Sequence, residues 1–201
     1  MLEALDHSVF RYCYAGSPNG ALYLLMVAAT WVGSGWSMLA AFPLIYPLRT
    51  RRFAISLLAT LSATGITVWA LKAIVGRHRP PFALVQVRAL VGNPTDHSFP
   101  SGHAAGCFAF ASFIGVVCYE AGRVQPARAK KLQAVSGFVF GLAGLIAYSR
   151  VYLGCHFPTD VFAGAALGAA FGFYGARRYA TSAQAKKIGP PLAPLGEIEP
   201  K

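Results

Sequence analysis

Long apolar stretches alternate with short polar connections along most of this 201-residue chain. One helix needs about 20 apolar residues to cross a bilayer, and four stretches are near that length: 53–75, 102–119, 132–149 and 157–175. An earlier stretch, 21–48, is long for one span and short for two. Its centre carries Gly33-Ser34-Gly35, a turn-forming sequence that favours two short spans. The pattern predicts an all-α fold, a six-transmembrane-helix integral membrane bundle.

The composition supports a membrane protein. Hydrophobic residues make up 55% of the chain and charged residues 12%, whereas soluble domains carry about 25% charged residues. Between Ser8 and Leu195 the only carboxylates are those of Asp96, Glu120 and Asp160. So few acids argue against a soluble or a disordered protein. We therefore divide the chain into an interfacial N-terminal segment (1–19), a six-helix membrane domain (20–180) and a flexible cytoplasmic tail (181–201).

The basic residues are clustered in the connections between apolar stretches. A net charge of +11 invites a nucleic-acid interpretation, but the aromatic residues that such a groove would expose lie inside the apolar stretches. Basic clusters at 49–52, 121–131 and 176–187 instead follow the positive-inside pattern of cytoplasmic loops. The connections 76–101 and 150–156 are then expected on the opposite, outer face. We expect no nucleic-acid partner.

Glycines recur every four residues on two of the predicted spans. Gly164, Gly168 and Gly172 share one face of the last span, and Gly137 and Gly141 share one face of the fifth. Small residues at this spacing allow helix backbones to approach closely in lipid. We expect both faces to be helix-packing surfaces.

The polar residues that remain fall at the predicted outer ends of the spans. One of them lies inside a span, where a charge costs roughly 2.5–3.5 kcal/mol on insertion scales. The set that maps to the outer face consists of Lys72, Arg79, Ser101, Gly102, His103, Arg150, His156 and Asp160. These residues played no part in deriving the topology, so their convergence on one face indicates a functional site.

These residue types fit phosphate chemistry. Lysine and arginine side chains can surround an anion, and the arginine fork matches phosphate oxygens. The helix that opens at Gly102 presents free N–H groups, leaves room for an oxyanion and has the Ser101 hydroxyl beside it. Of two histidines, one can attack phosphorus while the other protonates the leaving oxygen. Asp160, four residues after His156, can hold the tautomer of that ring and stabilise its cationic form.

The same segments resemble the signature of the type-2 phosphatidic-acid phosphatase family. That signature, K-x6-R-P, P-S-G-H and S-R-x5-H-x3-D, is read here from Lys72 to Pro80, from Pro100 to His103 and from Ser149 to Asp160. All three parts are complete and in order. The signature covers residues 72–160, and the six-span layout extends the resemblance over about 9–180.

The resemblance implies a phosphatase that requires neither a metal nor another cofactor. His156 would be the nucleophile that forms a phosphohistidine, Asp160 its partner and His103 the acid that protonates the leaving group. Phosphate would be bound by Lys72, Arg79, Ser101, Gly102 and Arg150. The residues alone leave open which histidine attacks. Asp160 argues for His156, because an oriented, charge-stabilised ring suits a nucleophile.

The predicted function is hydrolysis of a lipid phosphate or diphosphate by an integral membrane enzyme. We expect it in the cytoplasmic (inner) membrane of a bacterium, with its active site on the periplasmic face. Undecaprenyl diphosphate is the first candidate substrate, and phosphatidic acid and phosphatidylglycerol phosphate are rivals. Specificity is expected to depend on the 81–99 loop and on the groove between spans; the polar candidates in or near the loop are Arg77, His78, Arg88, Asp96 and His97.

Three other interpretations stay open at this point. His103, His156 and Asp160 form a set of two histidines and one carboxylate that could bind a metal, although three neighbouring cations oppose a divalent ion. Vanadate-dependent haloperoxidases carry a similar signature, but they are soluble. A non-enzymatic lipid-binding or transport protein would keep anion binding, and it predicts unchanged activity in a His156→Ala protein.

Overall fold

The computed structural model describes residues 2–34, 51–92 and 95–181, and within these ranges every regular element is a helix. A 3-10 turn, Pro126–Arg128, joins two of the long helices. The helices are α1 (Leu2–Cys13), α2 (Gly20–Val32), α3 (Arg51–Val75), the single turn α4 (Pro80–Ala83), α5 (Gly102–Val124), α6 (Ala129–Tyr152) and α7 (Pro158–Thr181). The predicted all-α class is confirmed.

Three of the described helices are long and apolar enough to cross a membrane: α3 with its continuation to Ala83, α5, and α6 with the turn before it. α7 has the length of a span, at 24 residues, but is less apolar. α2 has 13 residues and ends at the expected turn, where Ser34 N donates to Trp31 O. The span predicted after this turn falls on residues outside the described ranges, as does the chain beyond Thr181.

α5 is the centre of the bundle and packs against α3, α6 and α7. α5 and α7 begin at the end where α3 and α6 finish, so the connections 76–101 and 153–157 lie together there. We call this the site end. Glu120 pairs with Arg123 and Arg177 at the other end of the bundle, which we call the opposite end.

α7 approaches α5 through the glycines of the predicted stripe. A Cβ atom on Gly164, Gly168 or Gly172 would collide with a backbone carbonyl oxygen of α5 or of its N-cap Ser101. Helices in lipid associate through such close contacts, so the stripe fixes how α7 lies against α5. The expectation for Gly137 and Gly141 is not confirmed by the described residues. Both glycines are exposed among these residues, none of which would lie within 4 Å of an added Cβ.

α1 lies against the site end and contacts α6 and α7. Its Phe10 is fully buried, and the Phe10 ring lies 5.4 Å from the ring of Phe157, just before α7. Asp6 is buried as well. The segment expected at the membrane interface therefore carries a helix that packs onto the protein beside the predicted site.

Candidate active site

The structure brings the predicted site residues together at the site end. Electrostatic interactions link His103, at the start of α5, to Arg79, Arg150 and Lys72. Four helix ends and two connections contribute the set: Lys72 in the last turn of α3, Arg79 before α4, Ser101, Gly102 and His103 at the start of α5, Arg150 at the end of α6, and His156 and Asp160 around the start of α7. The three segments of the signature thus form one site.

A tight turn between α6 and α7 holds His156. Gly154 in this turn has φ +74°, a left-handed conformation that glycine adopts without strain. The same residue lies so close to Arg88 that an added Cβ would be 2.8 Å from the Arg88 carbonyl oxygen. The backbone N–H of His156 donates to the carbonyl of Arg150. This turn buries the His156 ring.

The hydroxyl of Ser98 lies between His156 and Asp160. The distance from His156 Nδ1 to Asp160 Oδ2 is 3.7 Å, too long for a direct hydrogen bond. Ser98 Oγ donates to the same carboxylate oxygen at 2.5 Å and lies 3.4 Å from Nδ1. The spacing of four residues predicts that one helical turn brings His156 and Asp160 into contact, and the structure corrects this. His156 precedes α7, so the ring and the carboxylate meet across the helix N-terminus, where Ser98 bridges them.

The other nitrogen of the His156 ring faces Arg79. Arg79 Nη1 lies 3.1 Å from His156 Nε2 and also donates to the carbonyl oxygen of Cys155 at 2.8 Å. A guanidinium has no acceptor, so a hydrogen bond at this distance requires Nε2 to accept. The proton of the neutral ring is then on Nδ1, facing Ser98 and Asp160. Nε2 keeps the lone pair that a nucleophile needs.

The surroundings of His156 favour the neutral ring. Burial, the largest influence, lowers the pKa of His156, and the positive charges of Arg79 and Arg150 act in the same direction. The nearby Asp160 opposes them. Because the net effect is a lowered pKa, His156 is unprotonated at neutral pH, in the form that can attack an electrophile.

Asp96 forms ion pairs with Lys72 and Arg79, two of the cations that are expected to bind phosphate. Its Oδ1 accepts from Arg79 Nη2 at 2.7 Å, and its Oδ2 lies 2.9 Å from Lys72 Nζ. Lys72 also donates to the carbonyl oxygen of His97. Burial acts against the ionised Asp96, but the hydrogen bond from Lys72 and the charge of Arg79 outweigh it and lower the pKa of the carboxyl. An anion thus already sits on this pair of cations, and its side chain is 55% exposed.

Arg150 is buried and only partly satisfied. Its Nη1 donates to the hydroxyl of Thr30 on α2, but its Nε has no hydrogen-bond partner among the described residues. A buried polar donor without a partner costs about 1–3 kcal/mol. Unpaired among the described residues and electrostatically linked to Arg79 and His103, this donor is suited to an anion that reaches it.

The start of α5 adds backbone donors to the site. Ser101 is the N-cap, and its hydroxyl accepts from Ala104 N at 3.5 Å. Its own N–H donates to the carbonyl of Asp160, which joins the start of α5 to the start of α7. The first amides of a helix lack intrahelical partners and lie at the positive end of its dipole. The helix end therefore adds to the attraction for an anion.

The carboxylate of Asp160 is engaged by donors. Oδ1 accepts from Arg77 at 2.6 Å, while Oδ2 accepts from Ser98 and from the N–H of Phe157. A metal would need such an oxygen as a ligand and would face the nearby cations. Throughout the described ranges, no three His, Cys, Asp or Glu side chains are grouped as metal ligands would be. The hydrogen-bond donors and cations at the site end suit an anion rather than a metal cation.

Several residues at the site were not assigned a role from the sequence. Ser98 stands inside the motif region without being a signature position, and Thr30 lies on a distant helix. Asp6 was placed in an interfacial segment, whereas Arg77 and Asp96 were candidates for specificity only. The one available signal was the scarcity of acids, since two of the seven acids in the chain, Asp6 and Asp96, now prove to be paired at the site.

Comparison with known proteins gives the family. The sequence profile of the PAP2 superfamily matches residues 53–183, a range that includes all of the predicted site residues. The chain belongs to this superfamily. It is 34% identical over 139 residues to decaprenylphosphoryl-5-phosphoribose phosphatase of Mycobacterium tuberculosis, which covers 69% of this chain and 68% of that protein.

Two further relatives extend the comparison. An undecaprenyl-diphosphatase of Sulfolobus acidocaldarius is 29% identical over 138 residues, 69% of this chain and 60% of its own length. The crystal structure of a transmembrane PAP2-type phosphatidylglycerolphosphate phosphatase from Bacillus subtilis superimposes with a TM-score of 0.71 at 25% identity. That match covers 89% of this chain and 85% of the other. The chain is accordingly an integral membrane protein with the fold of these enzymes.

Proposed function

We propose that this chain, a membrane lipid phosphatase by its family, hydrolyses its substrate through a phosphohistidine on His156. The observation that carries the proposal is the arrangement around His156 Nε2. The nitrogen accepts a hydrogen bond from Arg79 Nη1 at 3.1 Å, so its lone pair is directed at a group that also binds an anion. A phosphate that replaces Asp96 on Arg79 would lie next to this nucleophile.

In the first half of the reaction, Nε2 attacks phosphorus. A bond forms between nitrogen and phosphorus, and the bond from phosphorus to the leaving oxygen breaks. His103 gives its proton to that oxygen. The lipid therefore leaves as an alcohol if the substrate is a monophosphate, or as a monophosphate if the substrate is a diphosphate. The attacked ring becomes cationic, and the Nδ1–H that faces Ser98 and Asp160 is where its charge is stabilised.

In the second half, water breaks the nitrogen–phosphorus bond. His103, now neutral, accepts a proton from the water that attacks phosphorus, and His156 leaves as the neutral ring. Inorganic phosphate is released and both histidines are restored. Because one histidine must be neutral and the other protonated in the first step, we expect a bell-shaped pH–rate profile.

Binding of the phosphate is assigned to the cations and the start of α5. Arg79, Lys72 and the unused Nε of Arg150 would take phosphate oxygens. Ser101 and Gly102 would contribute the donors of the helix end. Charge that builds up on these oxygens in the transition state would be stabilised by groups that are already in place.

We further propose a lipid substrate with a polyprenyl chain, presented on the outer face of the bacterial inner membrane. The relatives named for decaprenyl and undecaprenyl substrates support the polyprenyl chain, and undecaprenyl diphosphate remains the first candidate. The structural relative that acts on phosphatidylglycerolphosphate supports the alternative of a phospholipid, either that one or phosphatidic acid. The cationic clusters expected in the cytoplasm support the outer location.

Phosphate release from purified protein tests the proposal. Undecaprenyl diphosphate, phosphatidic acid and phosphatidylglycerol phosphate are offered in the same detergent to wild type, to His156→Ala and to His78→Ala. His78 is exposed and lies between Arg77 and Arg79 in the same connection, so it is the control for loss of a histidine from this segment. We expect release from the preferred lipid to be lost in His156→Ala and kept in His78→Ala. Retained release in His156→Ala would overturn the covalent mechanism.

A further inference from the structure

Arg77 connects the proposed dyad to the N-terminal helix. Its Nη1 donates to Asp160 Oδ1 at 2.6 Å, and its Nη2 donates to Asp6 Oδ2 at 2.6 Å. The two arms of one guanidinium therefore join two carboxylates that are far apart in the sequence. One of them belongs to the His156–Asp160 dyad, and the other comes from α1.

Asp6 is buried and accepts several hydrogen bonds. It is only 4% exposed, and besides the contact to Arg77 it accepts from the N–H and the hydroxyl of Thr159 at 3.0 and 2.6 Å. Thr159 N is among the first amides of α7, which have no intrahelical partner. α1 thus provides a carboxylate that caps the helix carrying Asp160, and the charge favours that helix end.

Aromatic contacts hold α1 against the turn that carries His156. The guanidinium of Arg77 lies 4.4 Å from the centre of the Phe157 ring, a cation–π distance. The ring of His7 stacks on Phe157 at 5.0 Å, and Phe10 contacts it at 5.4 Å. Phe157 directly follows His156, so α1 contacts the turn on both its charged and its apolar side.

We propose that Asp6 and Arg77 are positioning residues that hold Asp160 beside His156 and set how strongly the dyad retains a proton. This inference rests on the proposed function. Neither residue is a defined position of the signature. The proposal gives α1 a role in the catalytic site that is carried out through Asp160, without contact to the substrate.

The two charges are expected to act in opposite directions. Arg77 neutralises part of the Asp160 charge that stabilises a protonated His156, and Asp6 in turn neutralises part of Arg77. Removing Arg77 therefore favours protonated His156, whereas removing only Asp6 disfavours it. The other charged and polar groups near the dyad are unchanged in every variant. They are Arg79 and Arg150, which act on His156, Ser98 between ring and carboxylate, Lys72, which acts on Asp160, His103 and Asp96, which interact with these cations, and His7 on α1.

The test is the acid limb of the pH profile of kcat/KM, where His156 must lose its proton to react. Arg77→Gln is expected to move this limb to higher pH, and Asp6→Asn to move it to lower pH. Each shift should be roughly 0.5–1 pH unit for a charge at this distance. The double variant should return close to wild type. One substrate is used throughout, so the ionisation of its own phosphate is common to all profiles. Arg77→Lys keeps the charge and should keep the limb, with a lower kcat because the fork is lost.

Matched controls remove the same charges from exposed sites. Glu3→Gln and Arg11→Gln, both at exposed positions of α1, should leave the limb within about 0.2 pH unit, since exposed charges are screened. His7→Phe keeps a ring against Phe157, removes the imidazole of α1 and should also leave the limb in place.

The direction of each shift decides the outcome. The positioning role is overturned if the acid limb stays in place in both variants, or if it moves in the same direction in Arg77→Gln and Asp6→Asn. The contacts of α1 would then only stabilise the fold. Each variant decides alone if the other does not fold, because a stationary or reversed limb in either contradicts the account. The proposed function fails separately, through turnover in His156→Ala, and does not depend on these shifts.

Discussion

Both ends of the helix bundle carry charged side chains, but the two ends treat them differently. At the site end Arg79 is 5% exposed and Asp160 is fully buried, and both are joined to other groups by several hydrogen bonds. At the opposite end the side chains of Arg123 and Arg177 are 65% and 52% exposed and pair with the single acid Glu120. The residue types are the same, and their surroundings are not.

This difference fits the expectation that one set of charges orients the protein and the other takes part in the chemistry. Taking an ion out of water costs several kcal/mol and is offset only by close partners, so a cluster of buried cations persists where it serves a purpose. Exposed pairs contribute about 0–1 kcal/mol. The opposite end fits the role of basic loops that set topology, whereas the site end holds its cations in the arrangement expected of a phosphate site.

Removal of one arginine from each end should give the largest contrast. Arg79→Gln is expected to lower kcat/KM by about 10²–10³-fold, because it removes a donor aimed at the transferred phosphate and the partner of His156 Nε2. Arg177→Gln, the same change at the opposite end, should alter kcat/KM by less than about twofold. Steady-state phosphate release measures both. Equal losses at the two ends would show that the contrast has no catalytic meaning.

The cluster at the site end could be predicted because the signature residues stand at or near the ends of apolar stretches. Helix ends alternate between the two faces of a membrane, so parity alone places Lys72, His103 and His156 on the same side. The contacts of Asp6 could not be predicted, since they depend on how α1 packs against α7, and sequence spacing says nothing about that. Asp96 lacked an assignment for a similar reason, because it meets Lys72 through a loop.

The glycine stripes show the same limit. Periodicity found both candidate faces, and Gly168 confirms one of them by its contact with the α5 backbone. Gly137 has the same spacing but is exposed on α6. Spacing identifies a face on which a backbone could approach, and only the packing of the whole bundle decides which face another helix covers.

Two glycines of α7 sharpen the comparison of the ends at a smaller scale. An alanine Cβ at Gly164 would press on the Ser101 carbonyl, at the start of α5, while one at Gly172 would press on Ala109 two turns further from the site. Both Gly164→Ala and Gly172→Ala should destabilise the protein by about 1–3 kcal/mol through overpacking. Only Gly164→Ala should also lower kcat/KM, by roughly tenfold, since a displacement near 1 Å at a site costs up to about 100-fold.

Thermal unfolding in detergent and phosphate release together test this pair. Equal activity in the two folded variants would mean that the start of α5 does not position the phosphate. Gly137→Ala, on a face of α6 that no described residue covers, serves as the control. It should leave kcat/KM unchanged and raise the stability by at most about 1 kcal/mol, the gain in helix propensity.

The smallest expected effect comes from Asp96. The proposed binding mode has phosphate replace the Asp96 carboxylate on Arg79 and Lys72. Asp96→Asn should therefore strengthen inhibition by vanadate roughly two- to fivefold, in line with a pair that is half exposed. The inhibition constant is measured at a pH above the lowered pKa of Asp96, where the wild-type carboxylate is charged. Weaker inhibition in Asp96→Asn would mean that Asp96 helps to build the anion site instead of occupying it.

The covalent intermediate is the central claim, and rapid quenching tests it directly. Wild-type protein is mixed with the preferred lipid carrying labelled phosphate, quenched in alkali, where a phosphohistidine survives, and digested to find the labelled peptide. We predict label on the peptide that contains His156, formed and lost at rates that match turnover, and none in His156→Ala. Turnover without label on that peptide, or label that persists in His156→Ala, would contradict the mechanism.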